Sequence, residues 1–152
     1  MTGVGSADVL EMATFDLPVP TDDQVLIRVM ATSVNRPDIV QREGNYPPLK
    51  GESEIIGLEV AGVIVKLGKN VVGYDLGDRV CALIGGGGYA EFAAAYGTHL
   101  MKIPEQMTFQ EAACVSETYI TAYLNLFSIA NLQDRQRVLL HGGGAVMQGS
   151  CS

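Results

Sequence analysis

At 152 residues with 47% hydrophobic content, the chain can bury one respectable core and is short for two. A formal net charge of −7 and a pI near 4.7 exclude the clustered Lys and Arg that nucleic acid or an anionic membrane would require. No apolar run is long enough to span a bilayer and the start, MTGVGSADV, shows no secretory pattern. Cys81, Cys114 and Cys151 are odd in number and widely spaced, which suits free thiols in a reducing, cytoplasmic compartment.

In chain order, the first strong strand is QVLIRVMATSV (24–34), where Val25, Ile27 and Val29 alternate with Leu26, Arg28 and Met30. Asn35-Arg36-Pro37-Asp38 then opens a short helix, with Asn35 as its cap and Pro37 in the first turn. Asp38 and Arg42, four residues apart, are expected to form an exposed helical pair. LEVAGVIVKLG (58–68), DRVCALI (78–84) and YAEFAAA (89–95) read as further short strands, and Gly62 marks a bulge or sharp bend. The four-glycine run Gly85 to Gly88 reads as a flexible hairpin end. Thr108 and Glu111 form a capping-box pattern, and Ile120, Tyr123, Leu124 and Phe127 recur at helical spacing through 117–130. Cys114 is expected to pack within this helix pair. The fold class is thus mainly β with a few helices, as a small, partly open barrel. RVLLHGGG (137–144) ends the chain as the first strand and glycine loop of a doubly wound nucleotide-binding domain would begin.

Three stretches carry a resemblance: SVNRPDIVQREGNYPP (33–48), IIGLEVAGVIVKLGKNVVGYDLGDRV (55–80) and QEAACVSETYITAYLNLF (110–127). With their G-L-E-x-x-G-x-V-x-x-x-G and N-R-x-D-x-x-Q-R-x-G-x-Y patterns, they resemble the N-terminal GroES-like catalytic domain of the medium-chain dehydrogenase/reductase superfamily, in its quinone oxidoreductase (zeta-crystallin-like) branch. The resemblance runs over about residues 4–146. It divides the chain into a GroES-like domain with linking helix (1–136), a remnant of the first Rossmann strand and glycine loop (137–146) and an unrelated tail (147–152).

What the resemblance implies is hydride transfer from NADPH to a quinone or enone, without metal. In zinc-dependent relatives a Cys replaces Asn35 and a His replaces Leu58 beside Glu59. Here neither ligand is present, and His99 and His141 have no partnering Cys pair. Tyr46 and Asn35 match the catalytic positions that line the acceptor and nicotinamide pocket, Thr121 one near the cofactor ribose and phosphate, and Gly142, Gly143 and Gly144 the start of the pyrophosphate loop. A phenol and an amide there would steady the oxygen that gains charge on reduction. Plainer roles stand beside these. Asn35 can simply cap a helix, Tyr46 can pack on Pro47, and Glu59 without a metal reads as a partnered structural carboxylate. Tyr119, Tyr123 and Phe127 lie on a helix that bridges two domains in the family, so part of that face should be exposed.

Departures from the pattern are also legible. A strand that begins family members is missing ahead of Val4-Gly5-Ser6-Ala7, and Val146 stands where the family carries a glycine that lets backbone approach pyrophosphate. The expectation is therefore a catalytic-domain portion with very weak NADPH binding of its own and no turnover as an isolated chain. Two alternatives stand beside it: a non-enzymatic product that self-associates or pairs with a full-length relative, and an enone reductase of the same superfamily.

Overall fold

A computed structural model describes residues 3–139. Its centre is one five-stranded antiparallel sheet made of β1 (Gln24–Thr32), β2 (Glu59–Leu67), β3 (Arg79–Leu83), β4 (Phe92–Tyr96) and β5 (Leu100–Lys102), in the order β4-β1-β2-β3-β5. The two ends of the sheet do not pair with each other, so it curls into the partly open barrel that the glycine-punctuated strands imply.

Alternation along the strands divides the apolar residues between two faces. Val25, Ile27, Val60, Ile64, Val80, Ala82 and Leu100 fill the barrel interior, whereas Ala61 and Cys81 point outward and pack with Ile103, Ala112 and Ala113. The outer cluster seats α2 (Phe109–Ala112) on the sheet. α2 carries the expected capping box: the Thr108 hydroxyl accepts from the Glu111 N–H at 3.2 Å, and the Glu111 carboxylate accepts from the Thr108 N–H at 2.8 Å.

Gly62 lies where β1 and β2 change register, since Val29 pairs with Gly62 but Ala31 pairs with Ala61, leaving Met30 extra. A Cβ on Gly62 would lie 2.1 Å from the Arg28 carbonyl oxygen, so the two backbones can approach this closely only at glycine.

Several expectations change. Gly85–Gly88 is not a flexible hairpin end. Gly86, Gly87 and Gly88 are buried, and the Gly87, Gly88 and Tyr89 N–H groups donate to the carbonyls of Ile55, Gly57 and Ile56. Without side chains, this run lies flat against the 53–57 segment and takes its backbone bonds there. The helix expected over 117–130 divides into α3 (Thr118–Tyr123) and a π-helical turn (Leu124–Ile129), beside an Asn125 Nδ2 that donates to the Thr121 carbonyl at 2.7 Å and competes with the backbone donors for it. Its apolar stripe is largely exposed, as the bridging role implied. Cys114 does not pack between helices. α2 is only four residues long and turns Ala112 and Ala113 inward, leaving Cys114 exposed.

Among the described residues no strand precedes β1. The segment after Gly3 instead joins α1 (Arg36–Arg42), with the Gly5 N–H donating to the Arg42 carbonyl. No described helix is long and apolar enough to cross a membrane. Arg137–Leu139 carry no regular structure. The rest of the expected Rossmann remnant, with His141, Gly142, Gly143 and Gly144, and the 147–152 tail lie outside the described residues.

Candidate active site

The C-terminal end of β1 delivers Ser33 and Asn35 beside the start of β2, where Glu59 is fully buried. The Glu59 carboxylate needs compensation there and receives three donors. Oε1 accepts from the Ser33 hydroxyl and, at 2.8 Å, from Asn35 Nδ2. Oε2 accepts from the Glu117 backbone N–H at 2.9 Å. The second Asn35 Nδ2 proton goes to Ser33 Oγ at 3.0 Å. Asn35 thus holds the N-cap position of α1 while its side-chain amide faces the carboxylate behind the cleft wall. The partnered structural role read for Glu59 describes this arrangement.

Asp38 corrects the expected pairing with Arg42. It is 2% exposed; its Oδ2 accepts from the Asn35 N–H at 2.8 Å and from the Tyr89 hydroxyl at 3.1 Å, and its Oδ1 has no partner among the described residues. Helical spacing favoured Arg42, but the third residue of a helix is drawn back to its own N-terminus. Arg42 turns away, its Nε donating to the Gly5 carbonyl at 3.0 Å and its Nη2 reaching Glu43.

Between this cluster and β4 lies a cleft of about 280 Å3, at the lower end of small-molecule sites and large enough for a single ring. Leu58, Ile84 and Ala94 give it an apolar wall, while Tyr46, Glu52, Tyr96, His99 and Glu117 bring polar groups to it. Tyr46 follows α1 in an exposed loop, and its hydroxyl makes no hydrogen bond within the described residues, so it is free to donate to a ligand. Burial holds the Glu117 carboxyl above its ordinary range, and the negative charges of Glu59 and Asp38 push the same way. Burial raises the Tyr89 phenol well above the usual range, helped by the Asp38 charge and by the bond it gives to Asp38. The Cys81 thiol is also raised, by burial first, with the Ser116 hydroxyl beside it pulling the other way.

The structure therefore brings Tyr46 and Leu58 to one cleft and ties Asn35 to it through Glu59 and Glu117. Thr121 is exposed on α3 and does not line the cleft. Glu117, Glu52 and Tyr89 went unrecognised in the sequence, because their convergence depends on long-range packing and no local spacing announces it. His99, which has no partnering Cys pair in the sequence, sits at the cleft edge-on to Tyr96 at 5.6 Å.

Among the described residues, no three His, Cys, Asp or Glu side chains are arranged to hold a metal ion. Toward a nicotinamide the cleft fits in part, since its apolar wall and free phenol suit a flat, neutral ring. No Lys or Arg lines it to hold a diphosphate.

Residues 21–105 match the alcohol dehydrogenase GroES-like domain family. The chain belongs to that family. It corresponds to the N-terminal portion of medium-chain dehydrogenases/reductases, and quinone oxidoreductases are among its relatives. The quinone oxidoreductase of Lama guanicoe is 36% identical over 150 residues, covering 97% of this chain and 46% of that protein. The crystal structure of a human synaptic vesicle membrane protein VAT-1 homolog-like protein superposes with a TM-score of 0.89 at 36% identity, over 98% of this chain and 48% of the other. An Escherichia coli quinone oxidoreductase complexed with NADPH superposes with a TM-score of 0.73 at 26% identity, over 81% of this chain and 38% of the other. The chain thus spans less than half the length of each of these GroES-like relatives.

Proposed function

We propose that this GroES-like domain forms the acceptor side of an NADPH-dependent reductase of quinones or enones, working without a metal ion. The observation that carries the reading is the apolar, ring-sized cleft lined by Tyr46, whose exposed hydroxyl has no hydrogen-bond partner among the described residues. NADPH, when bound, supplies the hydride. An acceptor held against Leu58 and Ile84 loses its water contacts, and Tyr46 donates to the carbonyl oxygen that gains charge on reduction. Asn35 acts behind the wall: through Glu59 it fixes the backbone at Glu117 and hence the shape of that side of the cleft.

The metal-free reading rests on the donor set. Leu58 has no lone pair to offer, the Asn35 amide turns its NH2, which cannot ligate, toward Ser33 and Glu59, and both Glu59 oxygens already serve protein donors. With Glu52 at the cleft and no Lys or Arg lining it, the preferred acceptors are neutral. Sulfonated quinones should bind worse than uncharged ones of the same size.

The described residues contain no parallel βαβ unit, so the 152-residue polypeptide alone holds NADPH weakly and turns over little. Fluorescence titration with NADPH, run beside a quinone-dependent NADPH oxidation assay, tests this; low-micromolar affinity for NADPH would overturn it. A cytosolic address belongs to the same reading, supported by the free Cys81 and Cys114 thiols. A second reading draws on the exposed Tyr119, Tyr123, Leu124 and Phe127: the chain would then self-associate or pair with a full-length relative. Size-exclusion chromatography with and without such a relative separates the two, because co-elution without turnover favours association.

A further inference from the structure

Glu117 lies at the cleft with Tyr46, and its main chain is fixed by the bond from its N–H to Glu59 Oε2. We propose that the Glu117 carboxyl is the catalytic acid that protonates the acceptor after reduction; this rests on the reductase reading above. A conjugated acceptor that has gained a hydride has gained two electrons and one hydrogen, and it carries a negative charge spread toward oxygen. A new O–H or C–H bond then forms on the acceptor as the Glu117 O–H bond breaks. The carboxylate left behind recovers its proton from water at the open side of the cleft. The sum is acceptor, NADPH and one proton going to reduced acceptor and NADP+.

The surroundings of Glu117 suit it to hold that proton. Glu59 from β2 and Asp38 from α1 face it with negative charge, and Glu52, Tyr46, His99 and, from β4, Tyr96 complete the polar rim. No Lys or Arg lines the cleft to favour the carboxylate. With burial acting in the same direction, the carboxyl keeps its proton at a pH where exposed glutamates have lost theirs, as a general acid requires. Tyr46 holds the acceptor oxygen with a hydrogen bond, and Glu117 delivers the proton. The link between Glu117 and Glu59 runs through the backbone N–H, so Glu117→Gln leaves it intact.

The test uses the 152-residue chain labelled with 13C at glutamate side-chain carboxyls, titrated by NMR alone, with tetramethylbenzoquinone, and with 4-nitrophenol as a stand-in for the reduced, oxyanionic product. The expected result is a Glu117 signal that binds its proton more tightly than the exposed glutamates do. That signal should move when either ligand binds. Glu117→Gln should remove it together with the part of the pH dependence of tetramethylbenzoquinone binding that follows its titration, and Glu117→Asp should restore that part. Should Glu117 titrate with the exposed glutamates, or ignore bound ligands whose binding Tyr46→Phe weakens, the acid role is refuted and the acceptor site stands. If neither ligand perturbs Tyr46 or Glu117, the acceptor site itself is refuted and the acid role falls with it.

Discussion

Replacing Glu59 by Gln removes one acceptor from a buried site that three donors depend on. The amide must choose an end. With its oxygen in the Oε1 position it still serves Ser33 and Asn35, but its NH2 then confronts the Glu117 N–H, donor against donor. The opposite orientation is worse, since two donors would face the NH2. The better arrangement forfeits one hydrogen bond to a charged group, about 1.5–3 kcal/mol. With an m-value of about 2 kcal/mol/M, the urea midpoint of the Gln variant should fall by roughly 0.7–1.5 M. Equilibrium urea unfolding followed by far-UV circular dichroism measures this, and hydrogen exchange locates it, since the Glu117 amide should lose protection selectively. Removing a negative neighbour should also let the Glu117 carboxyl give up its proton more readily, because Glu59 helps to hold it up. A variant within 0.5 kcal/mol of the parent, with Glu117 still protected, would show that this carboxylate does not organise the site.

Gly62→Ala places a Cβ against the Arg28 carbonyl of the neighbouring strand, where only backbone can yield, so the loss should reach or exceed the upper end of the ~1–3 kcal/mol typical of overpacking. Gly73→Ala, with positive φ but open space around it, should cost only about 1–2 kcal/mol, and thermal melts of the pair give the contrast. Tyr89→Phe withdraws one of the two donors to the buried Asp38 carboxylate and should lower stability by about 1–3 kcal/mol; an unchanged melting temperature would refute the contact. For Glu117 the folded-state pKa is raised, so its contribution is fully present below the unfolded value of about 4.3 and is lost as pH rises through the folded value. Urea midpoints measured upward from pH 4 should show that loss in the parent chain and not in Glu117→Gln.

The sheet was legible because alternation in 24–34 and the short Val- and Ile-rich runs at 58–68 and 78–84 mark strands, and the capping box at Thr108–Glu111 is a local signal with a local cause. Tyr46 and Asn35 were reachable through the motif they share. The misread positions fail for the opposite reason. Asp38 has a plausible partner four residues on, yet its real partners are a backbone N–H and Tyr89, fifty-one residues away. Glu117 looks like any helix-starting glutamate until packing sets it beside Glu59 and Asp38. The glycine run gave a local impression of looseness that only the 53–57 segment, bonded alongside, reverses. Charge burial and backbone docking are decided between distant segments, and local spacing carries no record of them.

The seam between residues 52–57 and 85–89 also determines how this site could be reshaped. A Cβ at position 85 would meet only the Glu52 side chain, which can swing away, but one at 86 would fall 2.4 Å from the Ser53 carbonyl oxygen and one at 88 would fall 2.9 Å from the Gly57 carbonyl. Drift at 86 and 88 is closed off, because only backbone could yield there, so the support of this rim is inherited as a fixed frame. Selection for new acceptors, natural or in the laboratory, has to work through what projects from other elements: Leu49, exposed at the cleft, is the adjustable jaw, and libraries aimed there should yield altered specificity at the least loss of folded protein.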